Sequence, residues 1–198
     1  MEQLQRIIKT GLYFGSFNPI HMGHMAIASF MVEFSDTEQL WFVVSPHNPL
    51  KEKKGLLKDH HRLEMVRLAI GDDERFRASD IEFRLPTPSY TIDTLTYLEE
   101  KHPNREFQLV MGADGLRSFH KWKNADLIVQ KYHRLIYPRP GVDPASIAGT
   151  PNATLVDAPL MEISSSFIRR AIREGRDVRH LVPPEAYTYM REMHFYEK

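Results

Sequence analysis

The stretch Gly11–His24, GLYFGSFNPIHMGH, decides how this chain reads. An apolar run, Leu12-Tyr13-Phe14, stops at Gly15-Ser16, and Asn18-Pro19 has the character of a turn. His21 and His24 follow, with Gly23 between them, and the chain then becomes apolar at helical spacing. A strand, a turn of small residues and a helix in that order put the turn at a strand's carboxyl end, where open α/β sheets take their ligands. Gly15 permits close backbone approach, and Ser16 is small. The helix opening near Met22 presents unpaired N–H groups and the positive end of its dipole, a ready anion site. Imidazoles three positions apart at its start can face one bound group. Taken alone, the two histidines read first as ordinary surface residues, and second as a pair able to share a metal ion. A catalytic zinc would want a third protein ligand, and none is near in sequence, so no metal site is expected. Neither G-x-G-x-x-G nor the Walker lysine loop is present.

Outward from this junction, apolar runs alternate with amphipathic segments. The pattern predicts strands over Ile7–Phe14, Leu40–Ser45, Phe107–Gly112, Arg134–Tyr137 and Thr154–Val156, with shorter pieces at Phe76–Ala78 and Ile81–Arg84. Helices are predicted over Met22–Phe34, His61–Ile70, Thr91–Lys101, Leu116–Trp122 and Ser165–Glu174. A last one runs from Glu185 to Met193, after Pro183-Pro184. Alternation of this kind specifies an α/β fold, a doubly wound, mostly parallel sheet with helices on both faces and a small C-terminal helical part. Continuous runs such as LWFVV suit strands buried on both sides.

With 198 residues, a single domain over 1–198 is expected, because two would each have a thin core. Lys+Arg and Asp+Glu are both 26, so the chain lacks the broad basic field that non-specific nucleic-acid binding needs. A local phosphate site requires only a few donors. The absence of cysteine excludes disulfides and thiolate metal sites. The first residues, MEQLQRIIKTG, have no signal-peptide core, and no run is long enough to span a bilayer. A cytoplasmic protein without a membrane partner is therefore expected; a homo-oligomer is compatible with the sequence.

A second polar turn opens a helix at MEISSSFIRRAI, Met161–Ile172. Ser164 or Ser165 can cap it. Arg169, one turn in, can add a two-pronged phosphate donor to the free N–H groups. By itself this is also what a plain cap followed by a surface arginine looks like. Between the motifs, PSYTIDTL (Pro88–Leu95) opens a helix at Thr91, and VMGADGLRSFHKW (Val110–Trp122) follows a buried strand. There Gly112 allows close approach, Asp114 can accept from ribose hydroxyls, and Trp122 can stack on a flat ring. Each also has a structural reading: Thr91 a cap, Asp114 a first-turn carboxylate, Trp122 core. His60-His61, the run Lys51–Lys54 and Arg139 read as solvated charges.

GSFNPIHMGH resembles the (H/T)xGH signature of the nucleotidylyltransferase superfamily, and specifically the G-G-T-F-D-P-I-H-x-G-H form of the bacterial nicotinate-nucleotide adenylyltransferases. Gly15 matches the second glycine, Ser16 replaces Thr, and Asn18 replaces Asp. ISSSFIR resembles that family's I-S-S-T-x-I-R, with Ser166 in the Thr position. The middle segments resemble S-Y-T-x-D-T-L and G-x-D-x-L-x-x-(F/W)-x-x-W. Lys51 matches a family lysine, whereas Leu50 stands where a histidine is usual. LVPPEAYTYM is similar to the family's ending, with Ala186 in place of Val. The resemblance runs from about Leu12 to Arg169. It implies a Rossmann-like fold and adenylyl transfer from ATP to nicotinate mononucleotide in NAD biosynthesis, with Mg²⁺ carried largely by ATP and water. ATP contacts are implied at Gly15, Ser16, Phe17, His21, His24, Ser165, Ser166 and Arg169, with His21, His24 and Arg169 catalytic. Mononucleotide contacts are implied at Lys51, Thr91, Gly112, Asp114 and Trp122. Alternatives at this level are a nicotinamide mononucleotide or pantetheine-phosphate adenylyltransferase, with the middle segments against the latter, or a nucleotide-binding regulator without turnover.

Overall fold

A computed structural model describes residues 6–46 and 55–197. Six strands form one sheet: β1 (Ile8–Gly15), β2 (Gln39–Val44), β3 (Phe76–Ser79), β4 (Arg105–Gly112), β5 (Arg134–Tyr137) and β6 (Ala153–Leu155). The spatial order is β3-β2-β1-β4-β5-β6, and every neighbouring pair is parallel. The helices among the described residues are α1 (Met22–Phe34), α2 (Asp59–Ile70), α3 (Thr91–Lys101), α4 (Leu116–Phe119), α5 (Ala125–Lys131), α6 (Ser165–Arg173) and α7 (Pro184–Glu192).

The strands are apolar throughout because both faces are covered. Side chains alternate across β1: Tyr13 enters one core, while Leu12 and Phe14 pack into the other. The first core takes Ile27 and Met31 from α1, Met65 from α2, Ile168 from α6 and Met190 from α7. The second takes Ile92 and Leu95 from α3, Phe119 from α4 and Ile128 from α5. Full burial of such side chains stabilises by about 1.5–3 kcal/mol each. Chain order moves outward from β1 to β3 on one side, then crosses back to β4 on the other. The carboxyl ends of β1 and β4 therefore flank the point where the winding reverses, and a ligand crevice opens there.

Three local expectations are corrected. Ile81–Arg84 is not a strand but a short 3-10 turn over Ile81–Phe83. Its Glu82 points inward, where its carboxylate accepts from Thr94 Oγ1 (2.9 Å) and Ser89 Oγ (3.2 Å). The helix expected to reach Trp122 ends at Phe119, and the chain tightens through Lys121 N–H to Ser118 O (3.0 Å) and Trp122 N–H to Phe119 O (2.9 Å). Asn124, at φ 52°, then turns the chain into α5, for which the sequence reading has no counterpart. Among the described residues no helix is long and apolar enough to cross a membrane.

Candidate active site

β1 ends at Gly15, and a Cβ there would lie 2.8 Å from the Phe17 ring. Glycine is required because Phe17 folds back over the strand end, in the left-handed region at φ 44°. The Phe17 ring is 2% exposed and packs edge-on against Tyr13 (5.8 Å), Phe42 (5.5 Å) and His24 (5.1 Å). What Phe17 can offer a ligand is its main chain, since its side chain is core.

His21 caps α1, and its ring stacks on His24 with centroids 3.6 Å apart. His21 is 5% exposed, and its Nδ1 is buried without a partner among the described residues. Burial, with a smaller contribution from the nearby Arg139 charge, pushes its pKa down to about 4, so the ring is neutral near pH 7. Gly23 makes room for that ring, because a Cβ there would sit 3.1 Å from His21 Nδ1. His24 Nδ1 accepts the His21 main-chain N–H (3.2 Å). An accepting Nδ1 leaves the neutral ring's proton on Nε2, which makes His24 Nε2 a donor.

α6 meets this loop from across the crevice. Ser164 caps it, accepting from Phe167 N–H (3.2 Å). Ser165 Oγ donates to Pro19 O (2.8 Å), Arg169 Nη1 donates to Asn18 O (2.7 Å), and Arg169 Nη2 donates to Ser166 Oγ (3.3 Å). The two motifs, remote in sequence, are thus bonded to each other. With its proton directed at Pro19, Ser165 acts first as a brace on the loop. Burial lowers the Arg169 pKa from its ordinary value.

The crevice between these elements holds about 360 Å³. Gly15, Ser16, Phe17, His21, His24, Ser165, Ser166 and Arg169 all line it, as does Asp114. Its further wall contains residues that sequence reasoning missed. Arg139, expected to be solvated, lines the crevice, pairs with Asp114 (3.5 Å) and donates to Met161 O (3.3 Å). It follows β5 at the strand's carboxyl end, and that position was the available signal. Tyr13 and Tyr137 also line it, their hydroxyls 3.2 Å apart, and burial raises both pKa values. Gly112 lies beneath the Asp114–Arg139 pair, since a Cβ there would be 2.5 Å from Asp114 Oδ1 and 3.1 Å from Arg139 Cγ. Arg62 is fully buried behind the loop and donates to Ser16 O (2.6 Å), Ser45 O (2.8 Å), Leu57 O (3.0 Å), Pro46 O (3.2 Å) and Asp59 Oδ1 (2.6 Å).

Thr91 and Trp122 do not line this crevice. Thr91 is the first residue of α3 on the other face of the sheet. Trp122 lies against Phe119 (5.0 Å) and packs, with Phe14 and Tyr90, on the second core. Beside it, Lys123 Nζ bonds both Asp93 oxygens (2.9 and 2.8 Å) and stands over the Tyr90 ring. Lys51 and Leu50 lie outside the described residues. His61, expected to be solvated, is half-buried, with Nδ1 2.8 Å from Tyr189 Oη.

The crevice lies at the reversal point, between the starts of α1 and α6. Residues 12–171 match the cytidylyltransferase-like family. A protein of Flavobacterium johnsoniae named "probable nicotinate-nucleotide adenylyltransferase" is 49% identical over 193 residues, covering 96% of this chain and 100% of its own length. The chain belongs to this family. A Bacteroides thetaiotaomicron protein of the same name is 45% identical over 186 residues, covering 93% of this chain and 92% of its own. The fold is also that of the Plasmodium falciparum nicotinic acid mononucleotide adenylyltransferase complexed with NaAD, at TM-score 0.80 and 21% identity, covering 96% of this chain and 98% of that one. Family membership gives the α1 and α6 motifs one frame, and the bonds from Ser165 and Arg169 to Pro19 and Asn18 are how this chain holds them together.

Proposed function

We propose that this chain is a nicotinate-nucleotide adenylyltransferase that transfers AMP from ATP to nicotinate mononucleotide, releasing pyrophosphate. The observation that carries the reading is the convergence of α1 and α6 on one crevice that holds His21, His24 and Arg169. The 5′-phosphate of the mononucleotide attacks the α-phosphorus in line. A new P–O bond forms, the bond from the α-phosphorus to the α–β bridging oxygen breaks, and its electron pair leaves on pyrophosphate. A phosphate monoester is already a competent nucleophile, so the protein's task is positioning and charge stabilisation.

His24 Nε2–H donates to an α-phosphate oxygen that gains charge in the transition state. His21, neutral and on the crevice wall, offers a second polar contact without adding charge of its own. The α6 amide groups, Ser166 and the Nη2 side of Arg169 hold the leaving pyrophosphate. In this reading Asp114, with Gly112 beneath it, meets the mononucleotide from the crevice, and Thr91 and Trp122 meet it from beyond that crevice; Lys51 is assigned to the same substrate by the resemblance alone.

Among the described residues no group of three His, Cys, Asp or Glu is placed to hold a metal ion, and Asp114 is the acidic residue on the crevice wall. That donor set fits Mg²⁺ arriving on the nucleotide phosphates with its own water, which would neutralise phosphate charge.

Pyrophosphate release tests the reading, with ATP and, in turn, nicotinate mononucleotide, nicotinamide mononucleotide and pantetheine phosphate. Turnover is expected to be highest with the first. Preference for another acceptor reassigns the substrate, and ATP binding without release from any acceptor makes the chain a nucleotide-binding regulator.

A further inference from the structure

We infer that Tyr196 and Asn18 are a positioning pair through which the C-terminal tail sets the first phosphate loop for ATP; this rests on the adenylyltransferase reading of the crevice. Asn18 is 4% exposed. Its Nδ2 donates to Gly55 O (2.9 Å), and its Oδ1 accepts from Tyr196 Oη (2.7 Å) and Leu57 N–H (3.3 Å). Its main-chain carbonyl is the acceptor for Arg169 Nη1. The amide is chemically matched to this position. A carboxylate would satisfy Tyr196 and Leu57 but would set an oxygen against the Gly55 carbonyl in place of a donor.

The tail is held in place for this contact. His194 and Tyr196 both adopt left-handed backbone, at φ 53° and 67°, a region that residues with side chains seldom occupy. The turn is fastened by Arg191 Nη1 and His194 Nδ1 to the Glu197 carboxylate (2.8 and 3.0 Å) and by the Phe195 ring against His61 (4.8 Å). Burial raises the Tyr196 phenol far above its ordinary pKa, so the hydroxyl stays a donor.

Asn18 adjoins Pro19, which takes the Ser165 bond, and precedes His21 by three positions. A shift of the Asn18 side chain therefore moves the start of α1 and the Arg169 anchor together. Both lie on the ATP side of the crevice. Trp122 and Thr91 are reached through the other face of the sheet.

Tyr196→Phe keeps the ring and removes the single donor. Calorimetric ATP binding is expected to weaken by about threefold to tenfold, the net worth of one hydrogen bond. Melting temperature should change by no more than a few degrees, and affinity for the mononucleotide should hold. Asn18→Asp is expected to weaken ATP similarly, and the double variant to lose no more than the worse single one, because the two act as a unit. Unchanged ATP affinity in Tyr196→Phe, additive losses in the double variant, or equal losses for ATP and the mononucleotide would each overturn the pair. Because binding is measured directly, a wild type that binds ATP but releases no pyrophosphate defeats the adenylyltransferase reading alone.

Discussion

The crevice and the region of Thr91 and Trp122 outside it are built differently. In the crevice, the proposed ATP site, three part-buried bonds join distant segments: Ser165 to Pro19, Arg169 to Asn18, Arg62 to Ser16. Outside it, in the proposed acceptor region, Thr91 and Trp122 occupy separate elements, and the polar link beside them is the exposed Lys123–Asp93 pair, whose side chains are 43% and 46% exposed. A buried network holds donors to within a fraction of an ångström, which charge stabilisation needs. A flat ring needs only a surface to lie on, and that tolerates looser construction.

The sharpest way to break this contrast is His24→Ala. Its Nε2 donor is oriented by the bond to His21 N–H, so turnover should fall by ~10²–10³ while ATP binding weakens far less. Single-turnover kinetics beside equilibrium binding measures both, and near-normal turnover in folded protein would remove His24 from the chemistry.

Burial of His21 should also appear as acid sensitivity. The folded His21 pKa, about 4, lies below the ordinary 6.5. Between those values the unfolded chain binds the extra proton, so stability present above about pH 6.5 is lost as pH falls toward 4. The loss approaches about 3 kcal/mol if the unfolded histidine titrates normally. Urea melts across that range should show this slope in wild type and a flatter one in His21→Asn; parallel slopes would mean that the ring is not held neutral by burial.

On the acceptor side, Trp122→Ala should weaken nicotinate mononucleotide by roughly 5- to 150-fold, the equivalent of ~1–3 kcal/mol of stacking, with ATP nearly unaffected. Steady-state KM values for both substrates decide this. A normal mononucleotide KM would return Trp122 to the core that it already touches through Phe119.

The smallest effect belongs to Lys123→Ala. An exposed pair of this kind contributes under ~1 kcal/mol, so the denaturation midpoint should barely move. The mononucleotide KM should rise less than in Trp122→Ala. A rise matching Trp122→Ala would show that the acceptor side, too, depends on a fixed charge, and the contrast between the two sides would narrow.

The alternation of apolar runs with amphipathic segments carried the parallel sheet, its β1–α1 junction and the helix starts of both motifs, because strand burial and helix starts are written in neighbouring residues. Thr91–Lys101 and Met22–Phe34 were legible to the residue, each bounded by a change in local pattern. Local pattern failed where a distant partner decided the outcome. Ile81–Arg84 looks like a strand until Thr94 and Ser89 turn Glu82 inward. Arg139 looks like a loop charge until β5 delivers it to Asp114, and Arg62 looks like any helical arginine until five oxygens surround it. Asn18 meets Arg169 across 151 positions and Tyr196 across 178. The sequence by itself marked two helix-start motifs, one around His21 and His24 and one running from Ser164 to Arg169, as candidates for phosphate contact. Only the tertiary structure decided which of those groups touch, how the imidazoles are oriented and what braces the loop, because hydrogen bonds between remote segments exist only once packing has brought them within 3 Å or so of each other.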